Sequence, residues 1–368
     1  MTAKDKIVFL TVSRFISGAE RVGADIADFI IHDCNGLAIV SPEIKKEFYI
    51  SNAHTISLPI KHSKISRSKL TVLLLLVYSF LTLFKFRANK KTVFYCNDIE
   101  SVFLVGMSRL FCRCRVIWHV HDVYKLDRWL TFRVLKLAMI ICNDVIVLTE
   151  ANQRRFNSIV NSDSIYVVPN FCRLPLKVGM VRRELIEGGA IRFCYLGQIT
   201  PCKGVLEIVG VVKKMNEVGW NIFLDIGGRP LFEKDKEYLD SMLKKIDQDK
   251  RIKYVGEVLD PVDFFSDKDF LICFSTNEPF GLVIIEAISQ GVRVISKRGD
   301  GPNDILKDFE SLLLDDNACA EDQIGDYLKN IVGAQDTFKN SADLFLIKYG
   351  RPQFHSKLAT VLNVIDVG

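Results

Sequence analysis

Short, continuous runs of apolar residues recur along this chain and alternate with stretches of helical periodicity. The runs of strand length lie at 7–12, 36–40, 92–96, 116–120, 145–148, 165–168, 191–196, 221–226, 252–255, 270–274 and 292–296. Continuous Val, Ile, Leu and Phe runs are typical of strands that are buried on both faces of a parallel sheet. Strand–helix alternation over two stretches of similar length therefore predicts an α/β chain with two doubly wound, Rossmann-like domains.

The predicted domain boundary falls near 172–190, where prolines and glycines interrupt the pattern. These residues are Pro169, Pro175, Gly179, Gly188 and Gly189. At 368 residues the chain is too long for one ordinary core, which supports the division. We predict a first domain over 1–175, a second over 190–345, and a C-terminal helix over 346–368 that packs back toward the first. Ligands of such folds bind beyond the carboxyl ends of strands, so residues just after the strands are the first candidates.

Charge is distributed unevenly between the two halves. Residues 1–180 hold 25 Lys and Arg against 14 Asp and Glu, a net charge of +11, whereas the whole chain carries +5. A basic first half suggests an anionic partner such as lipid headgroups or a pyrophosphate, and unevenness without a partner is the alternative. We expect no nucleic acid, because no basic stripe is interleaved with aromatic residues.

The cysteines and the N-terminus bear on the compartment. The ten cysteines are scattered without the spacing of metal ligands, which favours reduced thiols and a cytoplasmic protein. The apolar run at 7–12 lacks a small-residue cleavage site after it, so we interpret it as a first strand rather than a signal peptide.

One segment, 70–84, is nearly all apolar over 15 residues. As a helix it would extend roughly 22 Å at about 1.5 Å per residue, short of the roughly 30 Å core of a bilayer. Basic residues flank it on both sides, namely Lys61, Lys64, Arg67, Lys69, Lys85, Arg87, Lys90 and Lys91. Two interpretations stay open: a helix at an anionic membrane surface through 61–91, or a core helix under the first sheet.

The strongest motif lies at 277–286, where the sequence is NEPFGLVIIE. It follows an apolar strand and opens an apolar helix, with Glu278 in the loop and Glu286 inside the helix. Pro279 suits a helix entry, and Gly281 lets a ligand approach the backbone closely. Free N–H groups at a helix start suit phosphate and hydroxyl oxygens, and a carboxylate can accept from two neighbouring hydroxyls. A capped helix with two incidental glutamates is the structural alternative.

This stretch resembles the E-x7-E signature of glycosyltransferase family 4, retaining enzymes with the GT-B fold. The resemblance implies two Rossmann-like domains that face each other across a cleft, the first on the acceptor side and the second binding a nucleotide sugar. It implies that Glu278 holds donor-sugar hydroxyls and Glu286 holds the ribose. The backbone N–H groups of Phe280, Gly281 and Leu282 would meet the sugar and the diphosphate.

Other segments resemble the same family. In 195–204, Lys203 matches the lysine that neutralises the leaving diphosphate, but Gln198 stands where the family usually has arginine. In 118–122, His121 fits the histidine that faces the donor across the cleft, whereas His119 lies within the apolar run and fits a core position. The catalytic residues implied are therefore His121, Lys203 and Glu278.

Three further positions complete the implied donor site. Gly18 lies in a segment that resembles the family's glycine-rich first loop, where the backbone approaches phosphate or acceptor. Gly227 follows the second strand of the second half, and Val258 lies in the loop after the third strand, which is the implied nucleobase pocket.

Asp267 and Asp269 spell a D-x-D pattern, which binds a divalent cation in other glycosyltransferases. Here the pattern precedes a predicted strand instead of following one, and Lys203 already supplies positive charge. We therefore expect no metal site and no cofactor.

Together these features predict a retaining hexosyltransferase that moves a sugar from a UDP- or GDP-sugar to a glycan acceptor. The basic half and the apolar segment favour a lipid-linked acceptor in bacterial surface polysaccharide (O-antigen or capsule) synthesis, on the cytoplasmic side or peripheral on the inner face of the cell membrane. The alternatives are an inactive nucleotide-sugar-binding or membrane scaffold protein and a GT-B nucleotide-sugar epimerase.

Overall fold

The computed structural model describes residues 6–13, 18–48, 50, 53–55, 90–122, 124, 126, 128–177, 184–276, 278–309, 311–332 and 342–362. The chain divides into two compact units. Unit 1 comprises Met1–Val168 with His355–Gly368, and unit 2 comprises Pro169–Phe354. The segment 61–91, with its predicted membrane contact, lies outside the described residues apart from Lys90 and Lys91.

Unit 1 is a seven-stranded, wholly parallel sheet, and helices lie in the crossovers that the structure describes. Its strands are β1 (Lys6–Leu10), β2 (Leu37–Val40), β3 (His54–Thr55), β4 (Thr92–Cys96), β5 (Arg115–His119), β6 (Asp144–Val147) and β7 (Ile165–Val167), in the order β3-β2-β1-β4-β5-β6-β7. Its helices are α1 (Gly18–His32), α2 (Pro42–Phe48), α3 (Ile99–Cys112), α4 (Trp129–Ile141) and α5 (Glu150–Asn157).

Unit 2 repeats the design with a six-stranded parallel sheet. Its strands are β8 (Ile191–Leu196), β9 (Ile222–Gly227), β10 (Ile252–Gly256), β11 (Phe270–Cys273), β12 (Arg293–Lys297) and β13 (Ser311–Leu314), in the order β10-β9-β8-β11-β12-β13. Its helices are α6 (Val205–Glu217), α7 (Lys236–Ile246), α8 (Pro261–Phe265), α9 (Leu282–Ser289), α10 (Asp300–Leu306), α11 (Ala320–Ile331), α12 (Ala342–Tyr349) and the start of α13 (Arg351–Leu362).

The α/β fold with two Rossmann-like parallel sheets is confirmed, and each predicted run corresponds to a strand. The structure adds the two-residue β3 and the edge strand β13, which the apolar pattern did not reveal. Over 346–368, predicted as one helix, α12 ends before Gly350 and α13 begins after it. A Cβ at Gly350 would lie 2.4 Å from the carbonyl oxygen of Leu346, so this close junction needs glycine.

Burial on both faces explains why the strands do not alternate between apolar and polar residues. In unit 1, Val8 and Phe94 pack into one hydrophobic cluster. Their sequence neighbours Phe9 and Tyr95 point to the other face and are also fully buried. Helices must therefore cover each sheet on both sides, as in doubly wound folds.

The direction of winding reverses at one point in each sheet. β1 lies beside β4 in unit 1, and β8 lies beside β11 in unit 2. Chain segments that leave these neighbouring strands go to opposite faces, which opens a crevice at the carboxyl edge. Residues that follow β1 and β4, or β8 and β11, therefore come together although they are far apart in sequence.

Glycines bring the loops of unit 2 into close contact at this edge. The amide of Gly197 donates to the carbonyl oxygen of Gly227 at 3.1 Å. The amide of Gly228 donates to the carbonyl oxygen of Gly256 at 2.7 Å. Gly228 has a φ of +140°, and a Cβ there would lie 1.7 Å from the carbonyl oxygen of Gly197. The loops after β8, β9 and β10 are thus held together by backbone packing that a side chain at Gly228 would prevent.

We predict that Gly228→Ala destabilises unit 2 more than Gly219→Ala. Both glycines have positive φ, but a Cβ at Gly219 meets nothing within 4 Å. The control variant Gly219→Ala should lower the free energy of unfolding by about 1 kcal/mol, because of backbone strain alone. Gly228→Ala should cost at least about 2 kcal/mol more, because the Gly197 backbone must move. Calorimetric melting of both variants measures the difference, and equal melting temperatures would contradict the contact.

Candidate functional site

Lys203 and Glu278 form an ion pair at the carboxyl edge of the unit 2 sheet. Lys203 ends a 3-10 turn (Pro201–Lys203) that follows β8, and Glu278 lies in the loop after β11. Lys203 Nζ donates to Glu278 Oε2 at 2.6 Å. The two loops are also joined by the amide of Thr276, which donates to the carbonyl oxygen of Cys202 at 3.0 Å. The predicted catalytic lysine and glutamate therefore meet directly at the reversal point of the sheet.

Lys203 keeps its charge although the ion pair is largely shielded from water. The side chains of Lys203 and Glu278 are 25% and 11% exposed. Burial alone lowers the pKa of Lys203, but the charge of Glu278 and its hydrogen bond outweigh burial and raise this pKa above the ordinary value. The lysine is consequently an ammonium ion at neutral pH.

The N-terminus of α9 lies next to this pair in sequence and presents backbone donors. Gly281 precedes the helix with a φ of +100°, and its carbonyl oxygen accepts from the amide of Ile284 at 2.9 Å. Helix geometry leaves the N–H groups of the first turn, including Leu282, without an intrahelical acceptor. Together with the helix dipole, these groups favour an anion.

The loop before α9 is held by the backbone of α10. The amide of Gly301 donates to the carbonyl oxygen of Glu278 at 3.2 Å. A Cβ at Gly301 would lie 1.8 Å from the carbonyl oxygen of Phe280, so this approach requires glycine. The Phe280 ring is buried against Tyr349, with ring centroids 6.1 Å apart. Phe280 therefore anchors the loop through its side chain, and its backbone is the part that a ligand could use.

The remaining predicted residues of unit 2 lie after neighbouring strands at the same edge. Gly227 ends β9, and a Cβ there would be 2.6 Å from Val258 Cγ2, so Val258 packs directly on its backbone. Gln198 follows β8, and its carbonyl oxygen accepts from the Tyr195 hydroxyl at 2.7 Å. Glu286 is the fifth residue of α9 and is half-buried.

Asp267 and Asp269 lie at the opposite edge, before β11, and have structural partners. Asp267 pairs with the Arg192 guanidinium at 2.9 Å and with Lys268. The Asp269 carboxylate accepts from the Arg192 amide at 2.7 Å. Over the part of the chain that the structure describes, no three His, Cys, Asp or Glu side chains are grouped to hold a metal ion.

His121 is buried at the carboxyl edge of the unit 1 sheet. Its Nε2 lies 3.0 Å from Asn97 Oδ1, and its ring centroid is 4.1 Å from that of His119. Burial lowers its pKa to about 3, so the ring is neutral at physiological pH. With Asn97 Oδ1 as acceptor, Nε2 carries the proton and the buried Nδ1 presents a lone pair that no described residue uses. His119 is buried in the core, with Nδ1 2.6 Å from the Tyr95 hydroxyl.

Asn97 and Asp98, which were not predicted from the sequence, shape this part of unit 1. Asp98 accepts from the Thr11 hydroxyl at 2.7 Å, from the Val12 amide at 2.8 Å and from the Ser101 amide at 2.7 Å. It therefore joins the end of β1 to the start of α3. Asn97 and Asp98 directly follow the predicted strand 92–96, so the rule that favours residues after strands could have found them.

The glycine-rich first loop is described in part. Gly18 is the first residue of α1 and is half-buried, whereas residues 14–17 lie outside the described part of the chain. Gly18 and His121 belong to unit 1, and the other predicted site residues belong to unit 2.

Residues 180–343 match the family model of glycosyl transferases group 1, and most of this match lies within unit 2. Lipopolysaccharide core biosynthesis glycosyltransferase LpsE of Rhizobium meliloti is 30% identical over 183 residues, which is 50% of each chain. Lipopolysaccharide 1,2-N-acetylglucosaminetransferase of Salmonella typhimurium is 26% identical over 210 residues, 50% of this chain and 55% of the relative. The alignments thus span about half the length of these curated relatives.

Solved structures resemble the fold over nearly the whole chain. Anabaena HepE in complex with UDP-glucose has a TM-score of 0.76 at 16% identity and covers 98% of this chain and 100% of its own. The apo form of lipopolysaccharide outer core galactosyltransferase WaaB has a TM-score of 0.73 at 16% identity, with coverage of 98% and 99%. At such low identity these likenesses establish the GT-B type of fold.

Among the described residues, no helix combines the length and the apolar character needed to cross a bilayer.

We predict that Glu100→Gln stabilises unit 1 at high pH. Burial, aided by the charge of Asp98, raises the pKa of Glu100 from 4.5 to about 7. The folded protein therefore binds this proton more tightly than the unfolded chain, and stability is lost as pH rises from about 4.5 through 7. The variant should match wild type near pH 4.5 and exceed it at pH 8 by on the order of 1–3 kcal/mol.

Urea unfolding of unit 1 at several pH values measures this effect. Glu150→Gln removes an exposed carboxylate at the start of α5 and is the control for the loss of one charge. A difference between Glu100→Gln and wild type that does not change with pH would contradict the raised pKa.

Proposed function

We propose that this chain is a retaining glycosyltransferase that moves a hexose from a UDP- or GDP-sugar to a glycan acceptor. The observation that carries the proposal is the pair of Lys203 and Glu278 beside the start of α9, within the segment that matches glycosyl transferases group 1. A cation, a carboxylate and a helix N-terminus at one sheet edge suit the diphosphate and hydroxyl groups of a nucleotide sugar.

Each group takes one part of the donor. Lys203 and the N–H groups of Gly281 and Leu282 hold the diphosphate, and Glu278 accepts from sugar hydroxyls. Glu286 accepts from the ribose hydroxyls. Because Lys203 is paired with Glu278 before the donor arrives, the diphosphate must share or displace an existing contact of 2.6 Å. Diphosphate attraction in the ground state is therefore partly offset by the loss of that contact.

The proposed reaction keeps the configuration at the anomeric carbon. The bond between this carbon and the β-phosphate oxygen breaks, and the acceptor oxygen attacks from the same face. The departing phosphate oxygen takes the acceptor proton, so no side-chain base is needed. Negative charge on the leaving diphosphate grows in the transition state, where Lys203 and the α9 dipole stabilise it most. Gln198 contributes hydrogen bonds in place of a charge.

His121 has a positioning part in this scheme. A ring with a pKa of about 3 carries no charge to stabilise the diphosphate. The neutral ring can instead fix the orientation of Asn97, whose Oδ1 accepts from His121 Nε2 at 3.0 Å. The proposed acceptor is lipid-linked and belongs to surface polysaccharide synthesis at the cytoplasmic face of the membrane. The names of the two lipopolysaccharide relatives support this context.

The proposed reaction uses no metal ion and no cofactor. Lys203 and α9 supply positive charge at the donor edge. The two aspartates of the D-x-D pattern are engaged with Arg192 and Lys268 at the other edge.

The test combines donor binding with product analysis. Calorimetry against UDP- and GDP-hexoses identifies the donor, and labelled donor is then incubated with lipopolysaccharide core acceptors, with and without EDTA. We expect transfer with retained configuration by NMR, unchanged by the chelator. Inverted product would contradict retention, and EDTA-sensitive transfer would contradict metal independence. Donor binding without transfer or hydrolysis would indicate an inactive binding protein, and acceptor-free conversion of the donor would indicate an epimerase.

We predict that Lys203→Ala and Glu286→Ala fail in different ways. Lys203→Ala should lower kcat at least tenfold with little change in KM, because its charge matters most in the transition state. Glu286→Ala should weaken nucleotide affinity by on the order of 1–3 kcal/mol, since the ribose loses a charged acceptor. Steady-state kinetics and calorimetry separate the two effects.

Two exposed residues of α7 are the matched controls. Lys244→Ala and Glu237→Ala remove the same charges away from the donor edge and should leave both constants unchanged. Normal turnover in folded Lys203→Ala would remove Lys203 from the chemistry. Unchanged nucleotide affinity in Glu286→Ala would remove that residue from the ribose site.

A further inference from the structure

Helix α4 of unit 1 turns an apolar face toward the solvent. Leu135, Ala138 and Met139 are buried on one side of the helix. Because successive residues turn by about 100°, the opposite side carries the exposed residues. The apolar side chains on this side, with the exposed fraction of each, are Trp129 (67%), Leu130 (53%), Val134 (37%), Leu137 (52%) and Ile140 (59%). A surface helix normally presents polar residues here, so this face is suited to a further apolar surface.

The charges on this face are all positive. Arg128, Arg133 and Lys136 are exposed, and the sequence from 128 to 141 contains no Asp or Glu. The Arg133 guanidinium lies 4.8 Å from the centroid of the Trp129 ring. An indole stacked with a guanidinium has an apolar body and a charged rim, which suits the boundary between lipid headgroups and acyl chains.

We propose that the exposed face of α4 docks unit 1 onto an anionic lipid bilayer. Apolar side chains enter the interfacial region, and Arg128, Arg133 and Lys136 meet the lipid phosphates. A second copy of the chain fits less well. Pairing α4 with itself would bring its basic residues together, and the helix has no acidic residue to neutralise them.

The position of α4 in unit 1 links membrane docking to the proposed function. This link rests on the proposed function being correct. α4 begins ten residues after β5 ends, so its Trp129 end lies toward the carboxyl edge where His121 is buried. Docking α4 would thus bring that edge of unit 1 to the depth of lipid-linked sugars. This surface is formed by described residues of 128–141.

Vesicle flotation tests the proposal with three forms of the full chain. The first is wild type. The second is Trp129→Ser with Leu130→Ser and Leu137→Ser, and the third is Arg133→Gln with Lys136→Gln. The control is Val218→Ser with Leu259→Ser, which removes exposed apolar residues from unit 2. The probes are phosphatidylcholine vesicles with and without phosphatidylglycerol. The melting temperature, measured on every form, reports that unit 1 is folded, and nucleotide-sugar affinity in solution reports that unit 2 is intact.

We expect wild type and control to float with the anionic vesicles. The serine variant should lose at least roughly tenfold in vesicle affinity, because apolar insertion is removed. The glutamine variant should lose roughly tenfold or more on anionic vesicles and little on neutral ones. Binding of wild type should weaken in about 1 M salt, where charges are screened within about 3 Å.

Three results would overturn the proposal. The first is that wild type does not bind vesicles at low salt. The second is that the serine variant floats like wild type. The third is that, in ultracentrifugation without lipid, wild type is a dimer and the serine variant is a monomer. Flotation by wild type without donor binding or transfer would leave this surface standing and reject the proposed function.

Discussion

Parallel pairing of strands that are buried on both faces is the constraint on which the rest of this structure depends. Because every strand runs the same way, each crossover helix starts at the carboxyl edge of its sheet, and polar residues can gather there without disturbing the core. Reversal of winding at β1 and β4, and again at β8 and β11, opens space at that edge. Lys203, Glu278 and the start of α9 meet at the second reversal, and Asn97, Asp98 and His121 follow strands at or beside the first.

The two units use burial in opposite ways at these edges. In unit 2, a lysine and a glutamate meet in a poorly hydrated place, and the contact with Glu278 keeps Lys203 charged there. In unit 1, burial removes charge: it lowers the pKa of His121 to about 3 and raises that of Glu100 to about 7. A charged edge suits an anionic nucleotide sugar, whereas a neutral ring suits the orientation of a neighbouring side chain such as Asn97. This contrast agrees with a proposed division between donor and acceptor units.

Local pattern was sufficient to predict the strands, since a run such as 92–96 carries its own signal. β3 was missed because it has only two residues. The four-residue β13 was overlooked although it carries three successive leucines. The sequence also placed Lys203 and Glu278 each after a strand. Their contact could not be predicted from the residues, because it depends on β8 and β11 being neighbours, which is a property of the whole sheet. Asn97 and Asp98 were overlooked because short polar residues after a strand look like ordinary turn residues.

In the proposed reaction, positive charge at the donor edge is scarcer than the family resemblance implies. Gln198 stands where the family usually has arginine, and Lys203 is already paired with Glu278 in the structure without a donor. The backbone N–H groups at the start of α9 must therefore supply a larger share of the diphosphate binding than they would beside two free cations. Their placement rests on glycines: Gly281 at a φ of +100° and Gly301 against the carbonyl oxygen of Phe280. In the proposed reaction, donor recognition consequently depends on the course of the 278–282 backbone at least as much as on the charged side chains.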